Sequence, residues 1–347
     1  MRKRTGFTWH FSCRFLPRFI ANWARSIPTN RMTNHPSQGA TMMNRVGFGT
    51  LLMCTLLIGC QPLDTKQYKE VNLNDQFTYS ENHRSTPAEY HPDQWVIAIA
   101  SIVSANESFS AYDELIQYIG LKLGQPTRAV YTKDYSEVYT LFKEHKVDAA
   151  FICSGLYIIG KKHQLMELLT VPVVNGAPTY QAYIIVPRTS SIQQFEELDQ
   201  KTFAFTDRLS LTGCFYPLYG HQQPLTFWKK VIFTGNHDAS IELVNRGIID
   251  GASVDGLVFE DIARNDPSRV QNIRILEKSE PFGIPPVVVH PNVGKTNKRL
   301  LQQVFLQMDH DSTGQNILRK IHIDHFQLPD ETLYETLESM VPDSIIP

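Results

Sequence analysis

The chain has 347 residues, with 33 basic and 35 acidic side chains, a formal net charge of −2 with neutral histidines, 42% hydrophobic residues and five cysteines. That composition belongs to a globular chain able to bury a sizeable core, and it excludes a cysteine-stapled miniprotein and a collagen-like or low-complexity chain. The charge is unevenly placed. The first 59 residues hold eight Arg and Lys and no acid, so the remaining 288 carry 25 basic against 35 acidic groups, a net −10. A domain that acidic is a poor binder of nucleic acid or of anionic lipid surfaces through bulk charge.

In chain order, Met43-Asn44-Arg45 precedes an apolar run, Val46–Ile58, which ends in Leu57-Ile58-Gly59-Cys60 before a polar stretch opens at Gln61. A short basic start, an apolar run too short to span a bilayer comfortably and a small residue at the cut site describe a signal peptide. The Leu-Ile-Gly-Cys ending resembles a bacterial lipobox, which implies acylation of Cys60 and a membrane anchor on the extracytoplasmic side of a bacterial envelope. A secretory signal with an incidental cysteine, or a buried helix, is the plainer alternative. Arg and Pro interrupt residues 1–42, so translation is expected to start at Met42 or Met43. Residues 61–93 are polar and read as a flexible spacer. With Cys60 lipidated, Cys153 and Cys214 remain, free or paired. No cysteine pair has metal-ligand spacing and the histidines are scattered, so neither metal nor cofactor is expected.

The ordered part begins with Trp95–Ala100, a continuous apolar run of the kind a buried parallel strand uses. Tyr112, Leu115, Ile116, Ile119 and Leu123 have helical spacing, and Gly124 closes that helix. A strand at Ala129–Tyr131, a helix opened by Asp134-Tyr135-Ser136-Glu137, a strand over Lys146–Ile152 and a helix from Ser154 to about Lys161 follow. The pattern restarts with strands at Tyr183–Val186, Thr202–Thr206 and Val231–Thr234, a helix over Asp238–Arg246 and a strand at Gly251–Val254. Val287–His290 is a late strand and Lys298–Met308 a helix. Alternation of this kind predicts α/β lobes with parallel sheets. The expected division is a removed leader over 1–59, a lipidated tether over 60–93, a first lobe from 94–180 plus 287–330, a second over 181–286, and a tail or helix over 331–347. The chain would cross between lobes near 175–185 and 280–290.

Ligands of open parallel sheets gather at the carboxyl ends of strands, where helix N-termini converge. Three segments stand there. Ser210-Leu211-Thr212-Gly213 offers two hydroxyls and free backbone N–H groups, an anion socket or an ordinary N-cap. Gly235–Ser240 places His237 beside a helix mouth, with Asp238 a fair N-cap. Ser154-Gly155-Leu156-Tyr157 is the third, although a Tyr one turn into a helix is usually core.

Taken in order, these segments resemble the phosphate, phosphite and phosphonate solute-binding proteins of ABC transporters. Tyr112–Ile119 is similar to that family's Y-x-P-L-x-x-Y-L helix, Asp134–Glu137 to its D-Y-x-E, and Val147–Phe151 with Tyr157 to its V-D-x-A-F…Y. Ser210–Gly213 stands for S-T-S-G, Gly235–Ser240 for G-S-H-D-A-S, and Gly247–Asp255 for G-x-V-D-A-G-A-V-D. The resemblance implies a two-lobed type II periplasmic-binding-protein fold with a central cleft and a two-strand hinge. It further implies capture of a phosphorus oxyanion for a membrane permease, or for a sensor kinase with the same site. Ser210, Thr212, Gly213 and His237 would then hold the anion, with Tyr157 and Ser154 from the other lobe. Asp255 would face an amino group on the ligand's organic part. Leu211, Glu114 and the Ile152–Gly155 turn depart from the family pattern. A competing enzyme reading pairs Cys214, at a helix start, with His237 as base, but lacks a third, orienting residue.

Overall fold

The computed structural model describes residues 93–100 and 105–342. The expectations for Cys60, the leader and the tether lie outside these residues. No helix among the described residues is long and apolar enough to cross a membrane.

The first half builds one lobe: β1 (Trp95–Ile99), α1 (Ala105–Leu123), β2 (Thr127–Tyr131), α2 (Tyr135–Lys143), β3 (Ala149–Phe151), α3 (Ser154–Lys162) and β4 (Glu167–Val173). β1 is buried along its whole length because both faces are covered. Val96 and Ala98 pack into one cluster, and Ile97 and Ile99 into another with Leu115, Ile119 and Phe305. α2 starts where Asp134 accepts the Glu137 amide, and α1 ends at Gly124, whose φ of +64° suits a residue without Cβ. β5 (Thr179–Tyr180) then leads to the second lobe. That lobe comprises β6 (Ala182–Pro187), β7 (Thr202–Phe205), a π-helix (Leu211–Gly220), β8 (Lys230–Phe233), α4 (His237–Asn245), β9 (Gly251–Asp255), α5 (Gly256–Asn265) and β10 (Ile273–Lys278). β11 (Phe282–Gly283) returns the chain to β12 (Val287–Val289), α6 (Lys295–Leu306), α7 (Ser312–Lys320) and β13 (His325–Gln327), and α8 (Glu335–Glu338) closes the described part.

The first sheet has the order β13-β4-β12-β3-β1-β2 and the second β10-β6-β9-β7-β8. β5 and β11 pair antiparallel and form the two-strand connection between lobes. Neither large sheet is purely parallel, which corrects the expectation of parallel sheets. β12 runs against β3 and β4, and β6 runs against β9 and β10. β6 and β12 each follow a lobe crossing, where the chain enters the sheet from the hinge and not from a crossover helix, whereas β13, which runs against β4, follows α7. β4 has no counterpart in the sequence reading, because Pro172 and Glu167 interrupt its apolar run. Pro172 stands opposite Phe326 of β13, and β12 pairs only with residues from Glu167 to Thr170, so no β12 residue lies beside the proline to require an N–H from it. The late strand and its neighbour helix are otherwise shifted by one to three residues.

The C-terminal turn docks on the hinge. Tyr334 donates to the Ile284 carbonyl at 2.8 Å, and a Cβ at Gly283 would lie 2.7 Å from the Leu333 carbonyl oxygen. Lys161 pairs with Glu331 and Glu338 across the same seam.

Candidate functional site

The site is assembled at the carboxyl end of β9. The π-helix that follows β7 is capped by Ser210, whose Oγ accepts the Gly213 amide at 3.0 Å and therefore keeps its own proton free to donate. Pro217 lies inside this helix and has no N–H, so the carbonyl of Thr212, five residues earlier, loses its helical partner. The sheet takes it, Ser253 Oγ of β9 donating to Thr212, and the Thr206 amide also donates to the Gly213 carbonyl at 3.1 Å. A proline in the helix thus lets the sheet clamp the turn that carries Ser210 and Thr212, which are 1% exposed each.

His237 is the first residue of α4, and Asn236, not Asp238, is the cap, its side chain accepting the Ala239 amide. This corrects the expected cap. Asp238 is buried beside it, with Oδ1 lacking a protein partner and Oδ2 3.8 Å from Arg269. His237 Nδ1 accepts the backbone N–H of Asp255 at 2.9 Å, and burial pulls its pKa down to about 3. A neutral ring accepting at Nδ1 carries its proton on Nε2, so His237 is a donor with a fixed tautomer. The Asp255 carboxyl caps α5 through Oδ1, which accepts the amides of Leu257 and Val258, and burial pushes its pKa up to about 7. Thr206 adds a buried hydroxyl with no protein partner. A Cβ on Gly213 would fall 1.8 Å from that oxygen, so glycine is required there by close packing.

Three of the residues expected to hold the anion have other work. The Gly213 amide is committed to Ser210. Tyr157 points to the C-terminal turn: its hydroxyl donates to Glu331 at 2.8 Å and its ring packs edge-on to Tyr334 at 5.0 Å. Ser154 Oγ donates to the Gly283 carbonyl at 2.6 Å and so ties α3 to the hinge. Two further tyrosines, Tyr135 and Tyr180, lie in the core near Asp255. Both are buried, both have pKa values raised well above the usual range by desolvation, and both have Cys153 and Asp255 among their electrostatic neighbours. Tyr135 lies inside Asp134–Glu137 and follows a strand, which is the signal that could have found it. Tyr180 belongs to the hinge and has no local signature.

The lobes meet here. The Tyr135 amide donates to Asp207 Oδ2 at 3.2 Å, Cys153 Sγ donates to the Leu209 carbonyl at 3.4 Å, and a Cβ on Gly155 would lie 2.6 Å from the same carbonyl oxygen. Burial pushes both Cys153 and Cys214 up to about 12 and keeps them as thiols, and both are unpaired with each other. Arg208 is exposed and lies over the Phe233 ring at 4.2 Å, outside this group of neutral donors. Among the described residues no group of His, Cys, Asp and Glu is arranged to hold a metal. A cleft of about 980 Å³ adjoins the socket; its walls include Asp255 and Asp238, the neighbours of His237, whereas Ser210, Thr212 and His237 are not part of its lining.

Two lobes on a two-strand hinge, with strand ends and helix mouths facing a shared cleft, define a periplasmic-type solute-binding protein. Residues 97–334 match the family described as ABC transporter, phosphonate, periplasmic substrate-binding protein, and the chain belongs to that family. A probable ABC transporter phosphite binding protein, PhnD1, of Prochlorococcus marinus is 32% identical over 91 residues, 25% of this chain and 31% of that protein. A phosphonates-binding periplasmic protein of Escherichia coli is 21% identical over 216 residues, 59% of this chain and 63% of that protein. The matches therefore span less than two thirds of either curated relative. Among solved structures, a binding-protein component of an ABC phosphonate transporter from Pseudomonas aeruginosa superposes with a TM-score of 0.66 at 19% identity, covering 71% of this chain and 85% of that one. PhnD1 of Prochlorococcus marinus in complex with methylphosphonate gives 0.64 at 18% identity, covering 72% and 97%. At these identities the superpositions establish the type II periplasmic-binding fold.

Proposed function

We propose that this protein captures a phosphorus oxyanion, phosphate, phosphite or a phosphonate, outside the cytoplasm and delivers it to an ABC permease, anchored to the membrane through lipid on Cys60. The observation that carries the reading is the set of neutral donors at one strand end: the Ser210 and Thr212 hydroxyls and the Nε2–H of His237. Hydrogen bonds from neutral groups to an anion are strengthened in a closed, water-poor cleft, whereas a carboxylate binder more often presents an arginine fork. Binding, not turnover, is the activity proposed. Against a thiol enzyme stand the burial of Cys214, which disfavours its thiolate, and the engagement of His237 Nδ1 by a backbone amide.

Titration calorimetry with phosphate, phosphite and methylphosphonate tests this. A hydroxyl bond to a charged ligand is worth roughly 1.5–3 kcal/mol, so Thr212→Val is expected to weaken binding about 10- to 150-fold. Thr212→Ser keeps the donor and should cost far less. Full affinity in a folded Thr212→Val protein would remove Thr212 from the site.

A further inference from the structure

The turn that leads into the socket, Asp207–Leu211, belongs to the second lobe but rests on two helix starts of the first. At α2, Asp207 joins the lobes with its two oxygens. Oδ1 accepts the Leu209 amide of its own turn at 2.8 Å, and Oδ2 accepts the amide of Tyr135, the first residue of α2, at 3.2 Å. That amide has no partner within its helix, and the helix dipole favours a carboxylate there. At α3, Cys153 Sγ donates to the Leu209 carbonyl at 3.4 Å. Gly155 approaches so closely that an added Cβ would stand 2.6 Å from the Leu209 oxygen, 2.9 Å from the Leu211 nitrogen and 3.0 Å from the Phe215 ring. All three atoms belong to the second lobe, and two of them are backbone. Ser154, between Cys153 and Gly155, is tied to the hinge strand β11 by its bond to the Gly283 carbonyl. The Ile152–Gly155 turn departs from the family pattern, so this joint rests on residues particular to this chain.

Resting on the oxyanion reading above, we infer that Asp207 and Gly155 are positioning residues of the binding site: they latch the Ser210–Thr212 turn onto the first lobe and set oxyanion affinity through lobe closure, not through contact with the ligand. A carboxylate repels an oxyanion, and both oxygens of Asp207 already accept amides. Gly155 has no side chain to offer, and the place of a Cβ is filled by the second lobe. Closure brings the donors of the socket into a water-poor site, so the apparent affinity scales with the fraction of molecules in which the lobes can meet. The same Asp207 bond that reaches α2 fixes the Leu209 amide, one residue before Ser210, and thereby couples the socket turn to the joint.

Two variants of the whole protein test this, with methylphosphonate affinity read by calorimetry, its dissociation rate by stopped-flow fluorescence and the radius of gyration by solution scattering. Gly155→Ala adds a methyl group that α3 itself accommodates, since Gly155 lies inside the helix without a positive φ and Ala is the better helix former, but the approach to Leu209 is blocked. Asp207→Asn is isosteric and leaves one acceptor oxygen for two amides. The local Leu209 amide keeps it, and the Tyr135 amide of the other lobe loses its partner. Each variant is expected to bind methylphosphonate about 10-fold or more weakly, with most of the change in the dissociation rate. Each should also keep a larger radius of gyration than the parent protein at saturating ligand. Thermal melts establish that the variants are folded, and Asp207→Asn decides alone where Gly155→Ala is not. Three results would each overturn the inference and leave the oxyanion reading intact: parental affinity in a folded variant, weaker binding with a parental radius of gyration at saturation, or tighter binding in Asp207→Asn, the result of relieving repulsion by a ligand-facing carboxylate. Failure of phosphate, phosphite and methylphosphonate all to bind the parent protein would overturn the oxyanion reading itself, and the inference with it.

Discussion

His237 and Asp255 share one hydrogen bond and have opposite titration behaviour. The His237 ring has a folded pKa of about 3 against 6.5 for the free side chain. A base whose pKa is depressed contributes its stability fully above pH 6.5, and that contribution is lost as pH falls toward 3. Asp255 has a folded value of about 7 against 3.8. An acid whose pKa is raised contributes fully below about pH 4 and loses that contribution as pH rises through 7. Thermal melts from pH 3 to 9 should therefore show His237→Gln with a flatter decline in Tm as pH falls below 6.5, and Asp255→Asn without the loss of Tm that the carboxyl adds as pH rises from about 4 to 7. An Asp255→Asn profile parallel to that of the parent protein would mean that the carboxyl is not titrating from a buried state. The local pattern around both residues could be read in the sequence: a strand, a glycine turn, then a helix start. Their mutual bond could not, because it joins residues 18 apart through a backbone amide that carries no side-chain signature.

At the scale of elements, the π-helix and β9 act as one unit. Pro217 withholds a donor, the freed Thr212 carbonyl is taken by Ser253, and the socket turn is thereby fixed to the sheet. Ser253→Ala removes this bond without touching a ligand atom and leaves a buried carbonyl unsatisfied. Such a loss costs about 1–3 kcal/mol of stability. Because the clamp orients Thr212, affinity for methylphosphonate is expected to fall as well, by severalfold, measured by calorimetry beside the melt. A loss of stability with unaltered affinity would confine Ser253 to the fold. The sequence placed a helix start at Ser210 and missed the wider helix, since a single proline inside an apolar stretch reads as a break. Tyr157 shows the converse failure. Its position one turn into α3 matched a family pattern, but the C-terminal turn supplies Glu331 and Tyr334 to occupy it, and that docking is invisible to local spacing.

In the whole molecule, the β5–β11 pair carries the chain between lobes that touch across the cleft through Tyr135 and Asp207, through Cys153 and Leu209, and through His322 Nδ1 and Asp261 Oδ1 at 3.5 Å. Short paired strands with packed lobes on either side are the geometry of hinge closure, in which a few residues absorb the rotation. Solution scattering is expected to give a smaller radius of gyration with saturating methylphosphonate than without it. Superimposable profiles would mean that the lobes move as one body. By itself the sequence determined the alternation of strands and helices, the helix boundaries set by Asp134 and Gly124, and the strand-end segments around Ser210, His237 and Asp255, because capping, periodicity and turn chemistry act over a few residues. The tertiary structure alone decided that the sheets are mixed, that Tyr157 is held by the C-terminal turn, and that Gly213 and Ser154 serve packing and the hinge. Those outcomes depend on which distant segments compete for each hydrogen-bonding group, and that competition exists only once the lobes are folded together.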